Sequence, residues 1–208
     1  MNKLVVLGGA FNPLTLAHLE ILNEASKLID SSIKILLPAN ISFMHSWKKF
    51  SDDEILSQDL RLKILDKLSK ENNFIVEKCE LEQITNKTYE SLNYLKNKYS
   101  ANEIYFVCGV EKLSELNTWY RYKDLLQEFK FIVFKRNNLD PISEFNKETY
   151  LHEYRNSFYF LTPSINIEDF SSTKVRKALR EKRYDLVLKY CGKEITEILL
   201  KGENENEI

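Results

Sequence analysis

The chain has 208 residues, 43% apolar and 29% charged, with 5 Gly and 4 Pro, a composition that fits a folded protein and excludes a low-complexity one. Its 30 basic and 31 acidic residues nearly cancel, which argues against a long nucleic acid as partner while allowing a local basic site for one small anion. Cys79, Cys108 and Cys191 are odd in number and scattered, so neither a disulfide framework nor a zinc site follows; the opening apolar run is too short for a signal peptide, and none reaches the ~20 residues of a membrane span, so a reducing, cytoplasmic location is expected.

Leu4 to Leu7 is a continuous apolar run stopped by Gly8-Gly9, the pattern of a strand buried on both faces. Leu19, Leu22, Ala25 and Ile29 recur at helical spacing, and Ile33 to Leu37 predicts a second strand closed by Pro38. Ala39 to Asp53 lacks a period and reads as a loop. Leu56, Leu60, Ile64 and Leu68 mark a second helix, Phe74 to Val76 a short strand, and Leu92, Leu95 and Tyr99 a third helix. Ile104 to Cys108 is a buried strand ending at Gly109, followed by strands at Phe131–Phe134 and Phe158–Leu161. From Thr173 the pattern is helical, in two or three segments. The expected organisation is one domain over residues 1–201, with residues 202–208 an acidic, unstructured tail.

Strands alternating with helices imply a parallel sheet wrapped by helices, whose ligands bind beyond the carboxyl ends of the strands. That places the turns at Gly8 to Thr15, after Pro38 and after Gly109 on one rim. In the first turn, glycines permit close backbone approach, and Asn12-Pro13 or Thr15 can start the following helix. Thr15 and His18, three residues apart, can address one spot, and a free helix start beside a hydroxyl and an imidazole suits a phosphate. A tight turn with a surface histidine is the plainer alternative. The pattern is not the Gly-x-Gly-x-x-Gly dinucleotide fingerprint, because Ala10 and Pro13 stand where glycines are needed. Near the other end, Phe170-Ser171-Ser172-Thr173-Lys174-Val175-Arg176 is N-cap material before an apolar-periodic helix, with Arg176 one turn in, able to reach an anion at the helix start. A capped basic surface helix would read the same way.

Taken together, Gly-x-Phe-x-Pro-x-Thr-x-x-His at the start and Ser-Ser-Thr-x-x-Arg near the end resemble the nucleotidyltransferase superfamily that condenses ATP with a phosphorylated substrate and expels pyrophosphate. Pro38-Ala39-Asn40, Gln58-Asp-Leu-Arg61, Thr88-Tyr89-Glu90 and above all Gly109-Val-Glu111-Lys-Leu113…Leu116-Asn-Thr118-Trp119 are similar to the bacterial nicotinate-nucleotide adenylyltransferases. The resemblance spans about Lys3 to Leu188. It implies a Rossmann-like α/β fold with a helical C-terminal segment. Thr15 and Ala17 stand where the bacterial enzymes usually have His and Gly, Glu111 stands for Asp, and His45, Lys48 and Lys49 replace a Pro-Pro-His-Lys loop. These departures bear on specificity and rate more than on reaction class.

The resemblance implies adenylyl transfer from ATP, with magnesium, to nicotinate mononucleotide in NAD biosynthesis. His18 and Arg176 would carry the catalytic charge. Gly9, Ala10, Phe11, Thr15, Gly109, Glu111, Ser172 and Thr173 would join them around ATP. Asn40, Lys48, Thr88, Trp119 and Tyr120 would hold the acceptor. Magnesium on phosphate oxygens needs few protein ligands, so no protein metal cage is expected. No nucleic-acid or membrane partner is expected, and a homo-oligomer is compatible. Trp47 reads as core and His152 as surface. Arg136 sits near ATP or in a solvated pair with Lys135, and Lys177, Arg180, Lys182 and Arg183 form a solvated face. Nicotinamide mononucleotide or phosphopantetheine as acceptor, and a nucleotide-binding paralogue without turnover, are the competing readings.

Overall fold

The computed structural model describes residues 2–31, 33–46, 55–164 and 166–204. Six parallel strands form one sheet: β1 (Lys3–Gly9), β2 (Ile33–Pro38), β3 (Ile75–Val76), β4 (Glu103–Gly109), β5 (Lys130–Phe134) and β6 (Phe158–Leu161), in the order β3-β2-β1-β4-β5-β6. The register pairs Gly9 with Pro38, and Leu7 with Leu36 on one side and Val107 on the other. The order turns outward in both directions from β1 and β4, and beyond their carboxyl ends such sheets bind ligands.

Strand alternation sorts the core into two layers. Val5, Leu7, Leu36, Tyr105, Val107, Ile132 and Phe134 face α1 (Leu16–Leu28), α3 (Gln58–Asn72), α7 (Ser172–Arg180), α8 (Tyr184–Cys191) and α9 (Lys193–Asn204). Leu4, Val6, Ile35, Leu37, Ile104, Phe106, Phe131 and Val133 face α4 (Thr88–Lys98), α5 (Tyr122–Glu128) and α6 (Pro141–Lys147), together with 3₁₀ segments at Val110–Thr118 and Thr149–Ser157. Tyr105, Phe106 and Phe134 are core, as expected, and all three cysteines are free and buried.

The expected strands and the four longest helices are present. The expected loop after Ala39 instead begins with a helix, α2 (Ile41–Ser46), opened by a bond from the Met44 amide to the Asn40 carbonyl, 3.3 Å. Six residues are too few for a helical period to register in sequence. Lys48, Lys49, Trp47 and the rest of that stretch to Asp53 lie outside the described residues, as do 205–208. Helix α9 continues through Asn204, so three residues expected in the tail are helical, carried on from an amphipathic helix anchored by buried Ile195 and Leu199. Helices α5 and α6 and the two 3₁₀ segments were not foreseen either. At seven residues each, α5 and α6 complete barely two turns, and α6 is betrayed only by its cap, Asp140 accepting from the Ser143 amide at 2.7 Å with Pro141 behind it.

Candidate active site

The site begins where β1 ends. A Cβ on Gly9 would sit 3.1 Å from the Phe11 ring, so a side chain there would crowd the turn. Phe11 itself has φ 43, and its ring meets the His18 imidazole edge-on at 5.3 Å. Asn12 is 1% exposed although polar, and its Oδ1 accepts from the Leu56 amide at 2.9 Å, just ahead of α3. Burial of a polar side chain is tolerated because its hydrogen-bonding capacity is used inside the fold.

Thr15 is the N-cap of α1 and wholly buried. Its amide donates to His18 Nδ1 at 3.1 Å, and its Oγ1 lies 2.8 Å from the same atom. An amide can only donate, so Nδ1 must present its lone pair, which puts the proton of the neutral ring on Nε2 at the opposite edge. The three-residue spacing read from the sequence therefore has a definite chemical result: Thr15 fixes the tautomer of His18.

The second motif reaches the same turn from the far end of the chain. Ser171 takes the N-cap of α7, accepting from the Lys174 amide at 3.3 Å. Ser172 is thereby released from capping, and its hydroxyl donates to the Pro13 carbonyl at 2.8 Å. Arg176, 6% exposed, donates from Nη1 to the Asn12 carbonyl at 2.9 Å and from Nη2 to Thr173 Oγ1 at 3.4 Å. Residues more than 150 positions apart thus meet at the carboxyl end of β1. Lys177, Arg180, Lys182 and Arg183 are exposed, the solvated face expected.

At the end of β4, Gly109 opens the first 3₁₀ segment. A Cβ there would lie 2.1 Å from Glu111 Oε2, so the Glu111 carboxylate is folded over the Gly109 backbone. Its Oε1 accepts from Arg136 at 3.3 Å, and Oε2 is buried without a hydrogen-bond partner. Arg136 is accordingly held against the Gly109 turn rather than paired with Lys135 in solvent. Ala10 is half-buried beside Gly9.

Of the proposed acceptor residues, Asn40 follows the end of β2, Thr88 opens α4, and Trp119 and Tyr120 follow the 3₁₀ segment after β4. The Ala39 amide donates to the Gly9 carbonyl at 2.9 Å, joining the two strand ends, and Asn40 Nδ2 donates to the Glu80 carbonyl at 3.3 Å. Thr88 is the first residue of α4, half-buried. Trp119 is half-buried with its ring edge-on to Phe106 at 6.1 Å, whereas Tyr120 is 50% exposed. His45 and His152 are exposed. Behind Asn40, burial pushes the Glu80 carboxyl up to about 7 while Ser91, donating to Oε1 at 2.8 Å, pulls it down.

Two residues of this region were passed over in sequence. Asn12 was read only as a possible helix start. Arg61 stands in the sequence only as part of its helix, yet it falls in phase with Ile64, Leu65 and Leu68 on the buried stripe of α3. A cation on an apolar stripe is the signal that should have singled it out. Among the described residues no group of three or more His, Cys, Asp or Glu is placed to hold a metal ion, and no helix is long and apolar enough to cross a membrane.

Comparison with known proteins places this geometry in context. The cytidylyltransferase-like family model matches residues 6–178. A protein of Clostridium perfringens strain 13, named probable nicotinate-nucleotide adenylyltransferase, is 32% identical over 184 residues, 87% of this chain and 88% of its own. One of Pelagibacter ubique with the same name is 32% identical over 178 residues, 85% of this chain and 93% of its own. Among solved structures, the Plasmodium falciparum nicotinic acid mononucleotide adenylyltransferase complexed with APC superimposes with a TM-score of 0.74 at 18% identity, covering 98% of this chain and 96% of that one. The same enzyme complexed with NaAD gives 0.73 over 97% and 96%.

Proposed function

The chain belongs to the cytidylyltransferase-like family and, within it, to the nicotinate-nucleotide adenylyltransferases, and from that premise we propose that it transfers the adenylyl group of ATP to the 5′-phosphate of nicotinate mononucleotide, releasing pyrophosphate. The observation that carries the residue assignment is the meeting of Ser172 and Arg176 with the carbonyls of Pro13 and Asn12, which brings both phosphate-binding motifs to one rim.

The acceptor phosphate is already an anionic nucleophile, so the reaction needs no general base. What the protein must supply is alignment and neutralisation of charge. In this reading His18 donates from Nε2 to an oxygen of the α-phosphoryl group, and Thr15 acts on the phosphates through the imidazole it orients. Arg176 and the amides at the start of α7 receive the departing β- and γ-phosphates. Ser172, bound to Pro13, fixes that helix start against the first turn. Magnesium bound with ATP would neutralise part of the phosphates' negative charge. The rim donors are cationic or neutral, a set suited to the phosphates rather than to the ion. Asn40, Thr88, Trp119 and Tyr120, with Lys48 from outside the described residues, would address the acceptor, Trp119 by stacking on the pyridine ring. A cytoplasmic location fits this role in NAD biosynthesis.

The test is pyrophosphate release from ATP and magnesium with nicotinate mononucleotide, nicotinamide mononucleotide and phosphopantetheine compared side by side. Preference for nicotinate mononucleotide by tenfold or more in kcat/KM is the expected outcome. Equal or better turnover of either other acceptor overturns the acceptor assignment, and silence with all three despite ATP binding overturns the reaction.

A further inference from the structure

Arg61 is the largest fully buried side chain in the protein's described part, 1% exposed, on the face of α3 that packs into the core. Only one of its guanidinium nitrogens has a partner: Nη2 donates to the Ala39 carbonyl at 2.7 Å, while Nε and Nη1 are buried without any hydrogen-bond partner. No carboxylate among the described residues pairs with it. Burial alone acts on its ionisation, bringing the pKa down to about 10, so the group stays charged at neutral pH. An uncompensated buried cation destabilises a fold, and replacing such a charge by an apolar residue of similar volume is commonly neutral or stabilising. Stability therefore gives no reason for an arginine at this place.

Its location does. Ala39 is held from both sides, by Arg61 at its carbonyl and by the Gly9 carbonyl at its amide, 2.9 Å, and Asn40 follows directly. The Arg61 guanidinium thus sits under the carboxyl end of β2, on the opposite side of β1 from Gly109 and the adenine-nucleotide turn after β4. In a medium of low polarisability its charge reaches farther than a surface cation's. We propose that Arg61 is a positioning residue for the acceptor: it fixes the Ala39–Asn40 turn and supplies standing positive charge beneath the place where the acceptor's phosphate arrives. The inference rests on the reading of the β2 end as the acceptor's side. Arg176 serves the nucleotide's phosphates, and Arg61 serves the other anion of the reaction.

The experiment compares wild type with Arg61→Met and Arg61→Lys in the full chain, measuring KM for each substrate, kcat and Tm. Arg61→Met is expected to match or exceed the wild-type Tm, to raise the acceptor KM about tenfold, and to leave the ATP KM within about twofold; Arg61→Lys, which keeps the charge, recovers most of the acceptor KM. A fall in Tm of several degrees with the acceptor KM unchanged, or failure of Arg61→Met to fold, overturns the proposal in favour of a structural pin. An equal rise in both KM values overturns it as well. Should the wild type ignore nicotinate mononucleotide, the proposed acceptor is wrong, and Arg61 is judged instead by the thermal up-shift that ribose 5-phosphate alone gives the wild type. Loss of that up-shift in Arg61→Met but not in Arg61→Lys upholds the inference, and the same up-shift in all three proteins, or none in the wild type, overturns it.

Discussion

The two ends of the rim are built differently. Around the β1 turn, Asn12, Thr15 and Arg176 are buried polar groups whose hydrogen bonds run to backbone and to one another. Toward the proposed acceptor, Thr88 and Trp119 are half-buried, Thr118 and Tyr120 are exposed, and the buried Arg61 meets this end through the backbone of Ala39. Stabilising a developing charge requires donors that do not reorganise during the reaction. Choosing between acceptors is a matter of differential contact with a ring and its substituents, which a more open surface can supply. On the proposed assignment, the phosphate end is organised for rate and the acceptor end for choice.

That contrast can be broken most decisively at the phosphate end. Arg176→Ala should lower kcat/KM for pyrophosphate release by about one to two orders of magnitude or more, since a charged hydrogen bond is worth ~1.5–3 kcal/mol and ~1.4 kcal/mol is tenfold. His18→Ala should cost about one to two orders, expressed in kcat. Near-wild-type turnover in both variants would remove the phosphate role altogether. At the acceptor end the effect should be smaller and should appear in KM. Trp119→Ala is expected to raise the acceptor KM about two- to tenfold, as loss of one ring stack worth ~0.5–1.5 kcal/mol implies, with the ATP KM unchanged. A drop in kcat alone would move Trp119 back to the core beside Phe106.

The smallest effect concerns Glu80, behind Asn40. Its carboxyl titrates near 7 in the fold against an ordinary 4.5. Between those values the unfolded chain releases a proton that the fold retains, so this group's contribution to stability falls as pH rises through that window and stays low above it. Glu80→Gln should therefore gain on the wild type between pH 5 and pH 8. The gain should appear as a rise of several degrees in Tm across that window. A Tm difference independent of pH would show that Glu80 is ionised throughout.

Most of the sheet was legible because both of its faces are covered: strands such as Leu4 to Leu7 and Phe131 to Phe134 must be apolar throughout, and Gly8-Gly9 closes the first of them. The long helices were legible by period. Helices α2, α5 and α6 were not, because six or seven residues do not complete a period and their stability comes from packing that the sequence does not display. The two phosphate motifs could be recognised from residue types alone, but not that Ser171 caps the helix while Ser172 is free to bind Pro13. The reach of Glu111 back over Gly109 and the burial of Arg61 depend on neighbours distant in sequence, the latter foreshadowed only by a cation out of place on an apolar stripe.

The bond between Arg176 and Asn12 joins positions 164 residues apart. Ribosomal synthesis delivers the β1 turn first and α7 almost last, and domains mature in that direction. Early in its life, then, the chain owns the glycines, Thr15 and His18 but lacks Arg176, the cation proposed to complete the grip on the nucleotide. If Arg176 acts as proposed, a nascent or cleaved chain missing α7 would not turn ATP over, and the onset of pyrophosphate release would mark the closing of the whole fold.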